Sequence, residues 1–460
     1  MLMDPEEIGI EMDKLIEFAT SGRKGPVWLD VPLDVQSMQI DPSGLTRWVN
    51  PIKRKDALKV SELEKFNLLL NESKSPLLLL GHGVRSADSI ANLKIFLNKT
   101  QIPLIFTASA VDTIGSANVG SIGSIGMMGS TRSAARALQE ADLLVILGSR
   151  MNTMITGPDF DDFGRNAKVV LVDIDPVEHT KPGRSIDLYL EEDIRVFFEN
   201  INPELTYTAP KSWINRCEAL KLKSSELEEF MLGTDGVDLY QIAKILSDLL
   251  PKDGVLVTDS GLIELILPTN IQFKSGQRCL HPVSQGAMGY ALPAAVGAHY
   301  GSQRQIYTVI GDGSIMMNIQ ELQTIRHNKI PIIIIVLNNN AYSIIRKRQV
   351  ELFRGRTIGT DSSNGLSCPD FEEIASCFGL SYIRASSLSD FESALNQVEN
   401  INQAVLIEVQ GVTNQEYIQI ARKKDSNGKL QRMPIENQFP FVDDAEFQQD
   451  SKLSTSDKGL

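Results

Sequence analysis

The 460-residue sequence lacks features that mark several classes of protein. Its four cysteines include no C-x-x-C pair, so the sequence indicates neither a disulfide framework nor a cysteine-based metal site. No apolar run approaches the roughly 20 residues of a membrane span. The N-terminus has neither the basic start nor the apolar core of a signal peptide. A net charge of −13 argues against nucleic-acid binding, and we expect a cytoplasmic protein.

Several familiar catalytic motifs are also absent. The five histidines do not form H-E-x-x-H, and neither a G-x-S-x-G elbow nor a G-x-x-x-x-G-K-[ST] phosphate loop occurs. An NAD-dependent dehydrogenase lacks support because no G-x-G-x-x-G follows an early strand with an acidic residue about 20 positions later.

The chain begins with one predicted helix and one predicted strand. Apolar residues recur at helical spacing from Ile8 to Ala19, and Gly22 is a plausible helix stop. The sequence PVWLDV, residues 26–31, predicts a strand. One helix and one strand bury too little surface for a core. We therefore interpret residues 1–37 as the C-terminal remnant of a domain, followed by a linker over 38–56.

Two longer blocks alternate predicted helices with apolar strands. They cover residues 57–203 and 236–411, with a linker over 204–235 between them and a tail over 412–460 that we expect to cross the surface, over a site. The predicted strands lie at 76–81, 102–107, 142–148, 168–175, 254–259, 305–313, 330–339 and 404–409. Near-continuous apolar strands between helices indicate an α/β protein with doubly wound parallel sheets. The glycine-rich stretch 115–131 is predicted to be a ligand-approaching loop, not a strand.

The sharpest motif lies between Gly311 and Asn339. A strand leads into Gly311-Asp312-Gly313, and the helix predicted after it carries apolar residues on one face. The next strand ends at Asn338-Asn339, and Asn339 lies 27 positions after Asp312. Parallel strands bind ligands at their carboxyl ends, and a helix N-terminus beside them favours phosphate. One carboxylate, one amide oxygen, a carbonyl and two phosphate oxygens suit Mg²⁺. The motif therefore predicts a site for a diphosphate and a magnesium ion.

With these motifs in this order, the chain resembles the thiamine diphosphate-dependent enzymes, and among them the large subunits of acetolactate synthase. GRKGPVWLDVPLDVQ is similar to the end of that family's pyrimidine-binding domain. HPVSQGAMGYALPAAVGA resembles the start of its diphosphate-binding domain, and GDGS with NN resembles the cofactor motif. The resemblance implies a thiamine diphosphate- and Mg²⁺-dependent carboligase or decarboxylase. Its substrate would be a 2-oxo acid such as pyruvate, as in branched-chain amino acid biosynthesis.

The resemblance also implies roles for individual residues. Asp312 and Asn339 would bind Mg²⁺ through their side chains and Ala341 through its carbonyl. Met288 would contact the aminopyrimidine ring, with Gly286 and Ala287 beside it. The remaining implied cofactor-binding residues are Gly261, Gly311, Gly313, Ser314 and Tyr342. The family has polar residues directly after the glycine that matches Gly261, whereas this chain has Leu262 and Ile263.

In this family a glutamate early in the pyrimidine-binding domain promotes the first step, and active sites form between two subunits. We expect that glutamate to lie outside this chain, so no catalytic residue is assigned. The chain is then a fragment of a longer enzyme or one half of a split pair. A non-catalytic subunit that binds only through its diphosphate half is the alternative. A homo-oligomer, or a partner that supplies the pyrimidine-binding domain, is implied.

The central domain of acetolactate synthases carries FAD, which leaves two interpretations for residues 57–203. GSIGMMGS and LGSRMNTMITG fall at the family's flavin contacts, and Arg150 matches a family arginine. Met128 replaces a usual histidine. The block therefore binds FAD, or it is a structural domain that is empty or holds another nucleotide.

The acceptor substrate is not assigned by these motifs. Ile345 and Arg348 fall at substrate positions, and Arg348 stands where the family has tryptophan. This arginine contacts an anionic acceptor or is a solvated surface residue, and another 2-oxo acid or a sugar-like aldehyde remains an option. His82 and His281 each have a ligand-contact and a packing interpretation.

Overall fold

The structure is a computed structural model that describes most of the chain. The described residues are 1–50, 58–118, 120–126, 129–157, 160–179, 184–203, 205–228, 235–398, 402–417, 422–424, 430–439 and 441.

Two six-stranded parallel sheets organise the described residues, which confirms the predicted α/β class. The first sheet has the strand order β3-β2-β1-β4-β5-β6 and the second has the order β11-β12-β10-β9-β7-β8. The strands of the first sheet are β1 Pro76–Leu80, β2 Leu104–Thr107, β3 Ser121–Ile125, β4 Leu143–Leu147, β5 Lys168–Asp173 and β6 Leu188–Glu191. Those of the second are β7 Val255–Thr258, β8 Arg278–Leu280, β9 Ile306–Gly311, β10 Ile332–Asn338, β11 Ser381–Ala385 and β12 Val405–Gln410. A separate antiparallel pair consists of β13 Arg422–Lys424 and β14 Leu430–Arg432.

Helices connect the strands and cover both sheets. Up to the end of the first sheet they are α1 Ile8–Thr20, α2 Leu33–Gln36, α3 Val60–Glu72, α4 Gly83–Ser86, α5 Ile90–Thr100, α6 Arg132–Glu140, α7 Thr153–Thr156, α8 Ile194–Ile201 and α9 Lys211–Glu228. Within the second sheet they are α10 Leu239–Leu249, α11 Leu262–Asn270, α12 Ala291–Ser302, α13 Asp312–Ile315, α14 Glu321–His327, α15 Ser343–Leu352, α16 Phe371–Cys377 and α17 Leu388–Val398.

The apolar strands lie in the core as their sequences predict. All five residues of β1 and of β4 are buried, because helices cover both faces of a parallel sheet. One continuous cluster of buried side chains extends from Phe106 in β2 and Ile114 in the connection after it to Leu256 in β7 and Phe273 in the connection before β8. The cores of the two sheets are therefore packed against each other. This packing holds the two sheets in a fixed relative position.

Two predictions for the N-terminal half are wrong. Residues 26–31 form no strand in the structure, because no described segment pairs with them along its length, and Trp28 is 84% exposed. The helix before them is confirmed as α1, which ends just before Gly22 with its left-handed φ of 56°. The stretch 115–131 is not entirely a loop either. It contains β3, which pairs with β2 and buries Ile122 and Ile125.

The predicted helix after the Gly311-Asp312-Gly313 motif is also interrupted. The structure has the four-residue α13, a turn over 316–320, and then α14. Leu322 and Ile325 are fully buried and Ile319 packs beside the same core, so the apolar face exists although the helix is broken. The short strands β6, β8 and β11 were not predicted.

The described tail divides between the two sheets: residues 412–417 pack beside the second sheet, where Gln415 accepts a hydrogen bond from the Leu239 N–H at 3.0 Å, and residues 435–438 pack on the first. Ile435 lies in the core cluster beneath α6, and Gln438 donates a hydrogen bond from Nε2 to Ser130 Oγ at 3.0 Å. Arg165 forms an ion pair with Glu436. The prediction that the tail covers a site falls largely on residues outside the described ranges. The domain boundaries stay predictions.

Candidate functional site

The predicted metal ligands meet at the carboxyl edge of the second sheet. Residues Leu337 of β10 and Gly311 of β9 are register partners, so the two strands end side by side. Asp312 Oδ2 accepts a hydrogen bond from the Asn339 backbone N–H at 3.1 Å, and Oδ1 accepts one from the Gly313 N–H at 2.6 Å. Asp312 is only 3% exposed, and this burial raises its pKa. The structure thus places a carboxyl group among backbone donors, beside Asn339.

Asn339 and Ala341 are ordered by their own local contacts. The Asn339 Oδ1 accepts from the Ala341 N–H at 3.2 Å, and its Nδ2 donates to Ser343 Oγ at 2.8 Å. Ala341 is buried and forms an antiparallel bridge with Asp361. An amide oxygen has two lone pairs, so Asn339 keeps capacity for a further ligand.

Gly313 permits the close approach of an aromatic ring. A Cβ at this position would lie 1.9 Å from Cε1 of Tyr342, which no real contact allows. Burial raises the pKa of the Tyr342 hydroxyl, and the nearby Cys368 and Asp312 raise it further. Tyr342 was predicted to bind cofactor, and the structure places its ring over the glycine of the motif.

Cys368 belongs to this cluster and was not predicted. Its thiol lies beside the Asp312 carboxylate and interacts with it electrostatically. Burial, together with the Asp312 charge, raises the pKa of this thiol to about 12, so it stays protonated at neutral pH. Cys368 follows Asp312 by more than 50 residues and approaches through a loop, so no local sequence signal indicates the contact.

The segment 286–291 is fixed at the end of β7 by a second buried carboxylate. Asp259, which is fully buried, accepts from the Gly289 N–H at 3.1 Å and from the Ala291 N–H at 2.8 Å. Asn318 Nδ2 donates to the Gly289 carbonyl at 2.9 Å. The preceding Met288 is half-buried. Asp259 and Asn318 are therefore positioning residues that the sequence analysis did not identify. Position directly after an apolar strand is the signal that could have revealed Asp259.

The remaining predicted cofactor positions occupy the same edge. Gly261 follows β7 with a φ of 82°, and a Cβ there would meet no atom nearer than 3.9 Å. Gly286 has a φ of 60°, and Ala287 is exposed. Ser314 is buried in α13. Because β7 lies between β8 and β9, the chain reverses its direction across the sheet here, and ligands bind at such switch points in open α/β sheets.

The two tentative substrate residues lie on α15. Ile345 is partly exposed, and Arg348 forms an ion pair with Glu351 one turn later at 3.2 Å. Neither is shown to contact a substrate, and both assignments stay predictions.

A cavity of about 1010 Å³ lies at the carboxyl edge of the first sheet, away from the Asp312 cluster. Gly81 and Gly83 after β1 and Gly148 after β4 approach each other so closely that a Cβ at Gly81 would lie 2.1 Å from the Gly148 carbonyl oxygen. The predicted Arg150 lines the cavity, as do His82 and His281. Met128 lies outside the described residues. The cavity is at the upper end of the volumes that ligand sites usually have.

Two absences concern the described part of the chain. None of its helices is both long enough and apolar enough to cross a bilayer. Within the same residues, no three His, Cys, Asp or Glu side chains group as metal ligands do. A metal at the Asp312 cluster would thus depend on one carboxylate, with amide, carbonyl and ligand oxygens.

The comparisons with known proteins agree with this geometry. Residues 259–409 match the "Thiamine pyrophosphate enzyme, C-terminal TPP binding domain" family, and residues 63–201 match its central domain. The acetolactate synthase isozyme 2 large subunit of Escherichia coli (strain K12) is 30% identical over 405 residues, covering 88% of this chain and 71% of that protein. This chain belongs to the thiamine diphosphate enzymes. Within that family it is similar to acetolactate synthase large subunits.

Other relatives give the same assignment. The large subunit of Corynebacterium glutamicum acetolactate synthase is 29% identical over 413 residues, 87% of this chain and 65% of that protein. The Cyanidium caldarium large subunit is 28% identical over 450 residues, 94% of this chain and 74% of its own length. The chain thus spans roughly two thirds to three quarters of these relatives.

Proposed function

We propose that this chain is part of a thiamine diphosphate- and Mg²⁺-dependent enzyme that decarboxylates a 2-oxo acid such as pyruvate and transfers the acyl group to an acceptor. The observation that carries the proposal is the Asp312–Asn339 contact at adjacent strand ends, inside the region that matches the cofactor-binding domain. The names of the relatives support the acetolactate synthase type of reaction.

The residues of the cluster fit the metal and the diphosphate. Asp312 is buried, and in the described residues it forms no ion pair with a lysine, arginine or histidine, so a cation would supply the missing partner. Asn339 and the Ala341 carbonyl would add neutral oxygens, and Mg²⁺ accepts such a set when phosphate oxygens complete it. Gly261 has open space where a diphosphate oxygen would approach.

When bound, thiamine diphosphate would supply the nucleophilic carbon and the electron sink that decarboxylation of a 2-oxo acid needs. The chain's own residues hold and orient it. Asp312, Asn339 and Ala341 would hold the metal, while Gly313 and Ser314 would hold the diphosphate. Asp259 holds the segment that carries Met288 in place, so Met288 can support the aminopyrimidine ring. The glutamate that the family uses as its acid–base residue is assigned to no position of this chain.

The test measures by calorimetry how tightly the full chain binds thiamine diphosphate in the presence of Mg²⁺. Asp312→Ala is expected to reduce the affinity by at least tenfold, because it removes the carboxylate proposed as the charged ligand of the metal. Asp253→Ala is the matched control, since Asp253 is exposed at the opposite end of β7. Equal binding by both variants would overturn the assignment.

Pyruvate consumption separates the enzyme from its alternative. Turnover by the isolated chain supports a complete enzyme. Cofactor binding without turnover favours a subunit that binds through its diphosphate half and needs a partner for catalysis. A partner that carries the pyrimidine-binding domain would then supply the other half of the site.

We also propose that the cavity on the first sheet binds FAD. Its glycine-lined floor and its volume support a dinucleotide, and Arg150 offers a cation at its wall. A fluorescence titration with FAD should saturate and should weaken in Arg150→Ala. Binding of NAD but not of FAD in the same assay would favour another nucleotide.

A further inference from the structure

Glu264 is a buried carboxyl group that the proposed function does not use. It lies in the first turn of α11 and its side chain is 2% exposed. Among the described residues, neither of its carboxyl oxygens has a hydrogen-bond partner. Burial of a charged group without a partner is costly, so such a group requires a physical explanation.

His281 lies opposite Glu264, and its contact on the other side fixes a hydrogen on Nε2. Its side chain is 4% exposed, and Nε2 lies 2.9 Å from the carbonyl oxygen of Ala108. A carbonyl oxygen can only accept, so Nε2 carries a hydrogen. The other ring nitrogen, Nδ1, has no hydrogen-bond partner in the described chain and lies 3.8 Å from Glu264 Oε1.

This geometry restricts the protons that the two groups can hold. If Glu264 were ionised and His281 neutral, a lone pair on Nδ1 would face a buried negative charge. Two arrangements avoid that repulsion: a neutral imidazole facing a protonated carboxyl, or an imidazolium facing a carboxylate. In both arrangements one proton lies between Nδ1 and Oε1. The 3.8 Å separation exceeds a hydrogen bond, so the two side chains must move closer together to share the proton.

The pair lies where the cofactor segment, the cavity and the first sheet meet. A Cβ on Gly286 would be 3.6 Å from Glu264 Oε2, so the carboxyl group lies directly beside the glycine that precedes Met288. His281 begins the segment that leads to that glycine and lines the cavity. Ala108 follows β2 of the first sheet.

No neighbouring charged group of the cavity wall competes with Glu264 and His281 for this proton in the described residues. Asp112, in the same cavity wall, is occupied by Arg278 at 2.7 Å and by Arg85 at 3.0 Å. The other histidine of the cavity, His82, is exposed, and its Nδ1 lies 3.1 Å from the Ser109 carbonyl. The two imidazoles are thus held by successive carbonyls, and only His281 faces a buried carboxyl group.

We propose that Glu264 and His281 share one proton and act together as positioning residues that hold the Gly286–Met288 segment in its ligand-binding conformation. The claim that the two residues share a proton is argued only from the positions of Glu264, His281 and the Ala108 carbonyl. The positioning part rests on the proposed function, because the segment is expected to receive thiamine diphosphate.

The first experiment needs no ligand. Nitrogen NMR of the full chain with ¹⁵N-labelled histidine, assigned with His281→Gln, reports whether Nδ1 of His281 is protonated, hydrogen-bonded or free. We expect a protonated or hydrogen-bonded Nδ1 in the wild-type chain and a free one in Glu264→Ala. A free Nδ1 in the wild-type chain that does not change in Glu264→Ala would overturn the proposal.

Glu264→Gln covers the case in which the alanine variant does not fold. The amide keeps the shape of the side chain and can donate to Nδ1, but it cannot give up a proton. We expect a neutral, hydrogen-bonded Nδ1 in this variant. Glu373→Ala is the matched control, because Glu373 is an exposed glutamate in the first turn of α16. If the spectrum of Glu264→Gln is identical to that of the wild-type chain, the imidazolium–carboxylate arrangement is contradicted. The neutral imidazole facing a protonated carboxyl group is then the arrangement of the pair.

The second experiment measures thiamine diphosphate affinity in a double-mutant cycle. Glu264→Ala and His281→Ala should each weaken binding about tenfold, and the double variant should be no weaker than either single one, since the two side chains act as a unit. Additive losses would contradict joint positioning. If the wild-type chain does not bind thiamine diphosphate, the proposed cofactor fails while the NMR result still stands.

Discussion

At the scale of single residues, two buried carboxylates at neighbouring strand ends have different tasks. Asp259 uses both oxygens to fix the backbone of Gly289 and Ala291. Asp312 lies beside the thiol of Cys368 and is held by N–H groups, donors that favour its ionised form, while burial opposes it. Because Asp312 forms no ion pair with a cationic side chain in the described ranges, its buried carboxylate is a suitable first ligand for a divalent ion.

Gly313→Ala tests how tightly the motif is packed. The new Cβ would collide with the Tyr342 ring, so we expect the free energy of unfolding to fall by about 1–3 kcal/mol. Thiamine diphosphate affinity should fall as well, since Tyr342 must move. Chemical denaturation and calorimetry measure the two effects. Gly25→Ala, which would meet no atom within 4 Å, is the control, and equal effects of both variants would contradict the packing.

The four cysteines should differ in reactivity. Only a thiolate is alkylated, so a raised pKa keeps a thiol unreactive at pH values below it. Burial raises the pKa of Cys217 and Cys279, and that of Cys368 to about 12, whereas Cys377 is exposed. At pH 8, iodoacetamide should label Cys377 first, and mass spectrometry of the peptides identifies the site. Rapid labelling of Cys368 would show that its contact with Asp312 is absent in solution.

At the scale of elements, apolar runs identified the central strands of each sheet. β1, β4 and β10 are five to seven residues long, apolar and almost entirely buried, so each can be predicted from its own sequence alone. The three-residue β8 and the mostly half-exposed β11 carry no such signal. Residues 26–31 have a strand-like sequence, but a strand also needs a partner for its backbone groups.

The residues of the candidate site also fall into predictable and unpredictable groups. Asp312 and Asn339 were predictable because each follows an apolar strand and the strands are neighbours. Contacts made by loops were not. His281 meets Glu264 and the carbonyl of Ala108, which is 173 residues from His281 along the chain, and nothing local to these residues indicates those contacts.

Gly297→Ala tests helix propensity in α12. Gly297 is exposed in the helix interior, and a Cβ would meet no atom within 4 Å. Glycine is less favourable than alanine in a helix, so the free energy of unfolding should rise by about 0.5–1 kcal/mol. Urea denaturation measures it. A decrease would show that another surface covers this face of α12 in solution.

At the scale of the whole molecule, the two sheets share one core and a polar junction. Ser116 Oγ donates to the Ile271 carbonyl and accepts from the Phe273 N–H. Asp112 accepts from Arg278 and from the Cys279 backbone N–H. These contacts fix the cavity wall in which His281 lies, so the cavity and the cofactor segment are mechanically connected.

Asp112→Ala should loosen that junction. The side chain of Asp112 is 4% exposed, and its loss leaves Arg85 and Arg278 without their carboxylate. Because both arginines retain some contact with solvent, we expect a loss of at most about 3 kcal/mol in the free energy of unfolding. Thermal unfolding measures the change. Asp88→Asn, at an exposed aspartate on the cavity rim, is the control and should have little effect, because asparagine also tolerates the left-handed φ of 52° at this position.

The most direct test of the central claim is a crystal structure of the chain grown with thiamine diphosphate and Mn²⁺, with anomalous data to locate the metal. The account predicts one anomalous peak in contact with the Asp312 carboxylate, the Asn339 amide oxygen and the Ala341 carbonyl, with diphosphate oxygens completing its coordination. Thiamine diphosphate bound elsewhere, or a metal that does not contact Asp312, would contradict it.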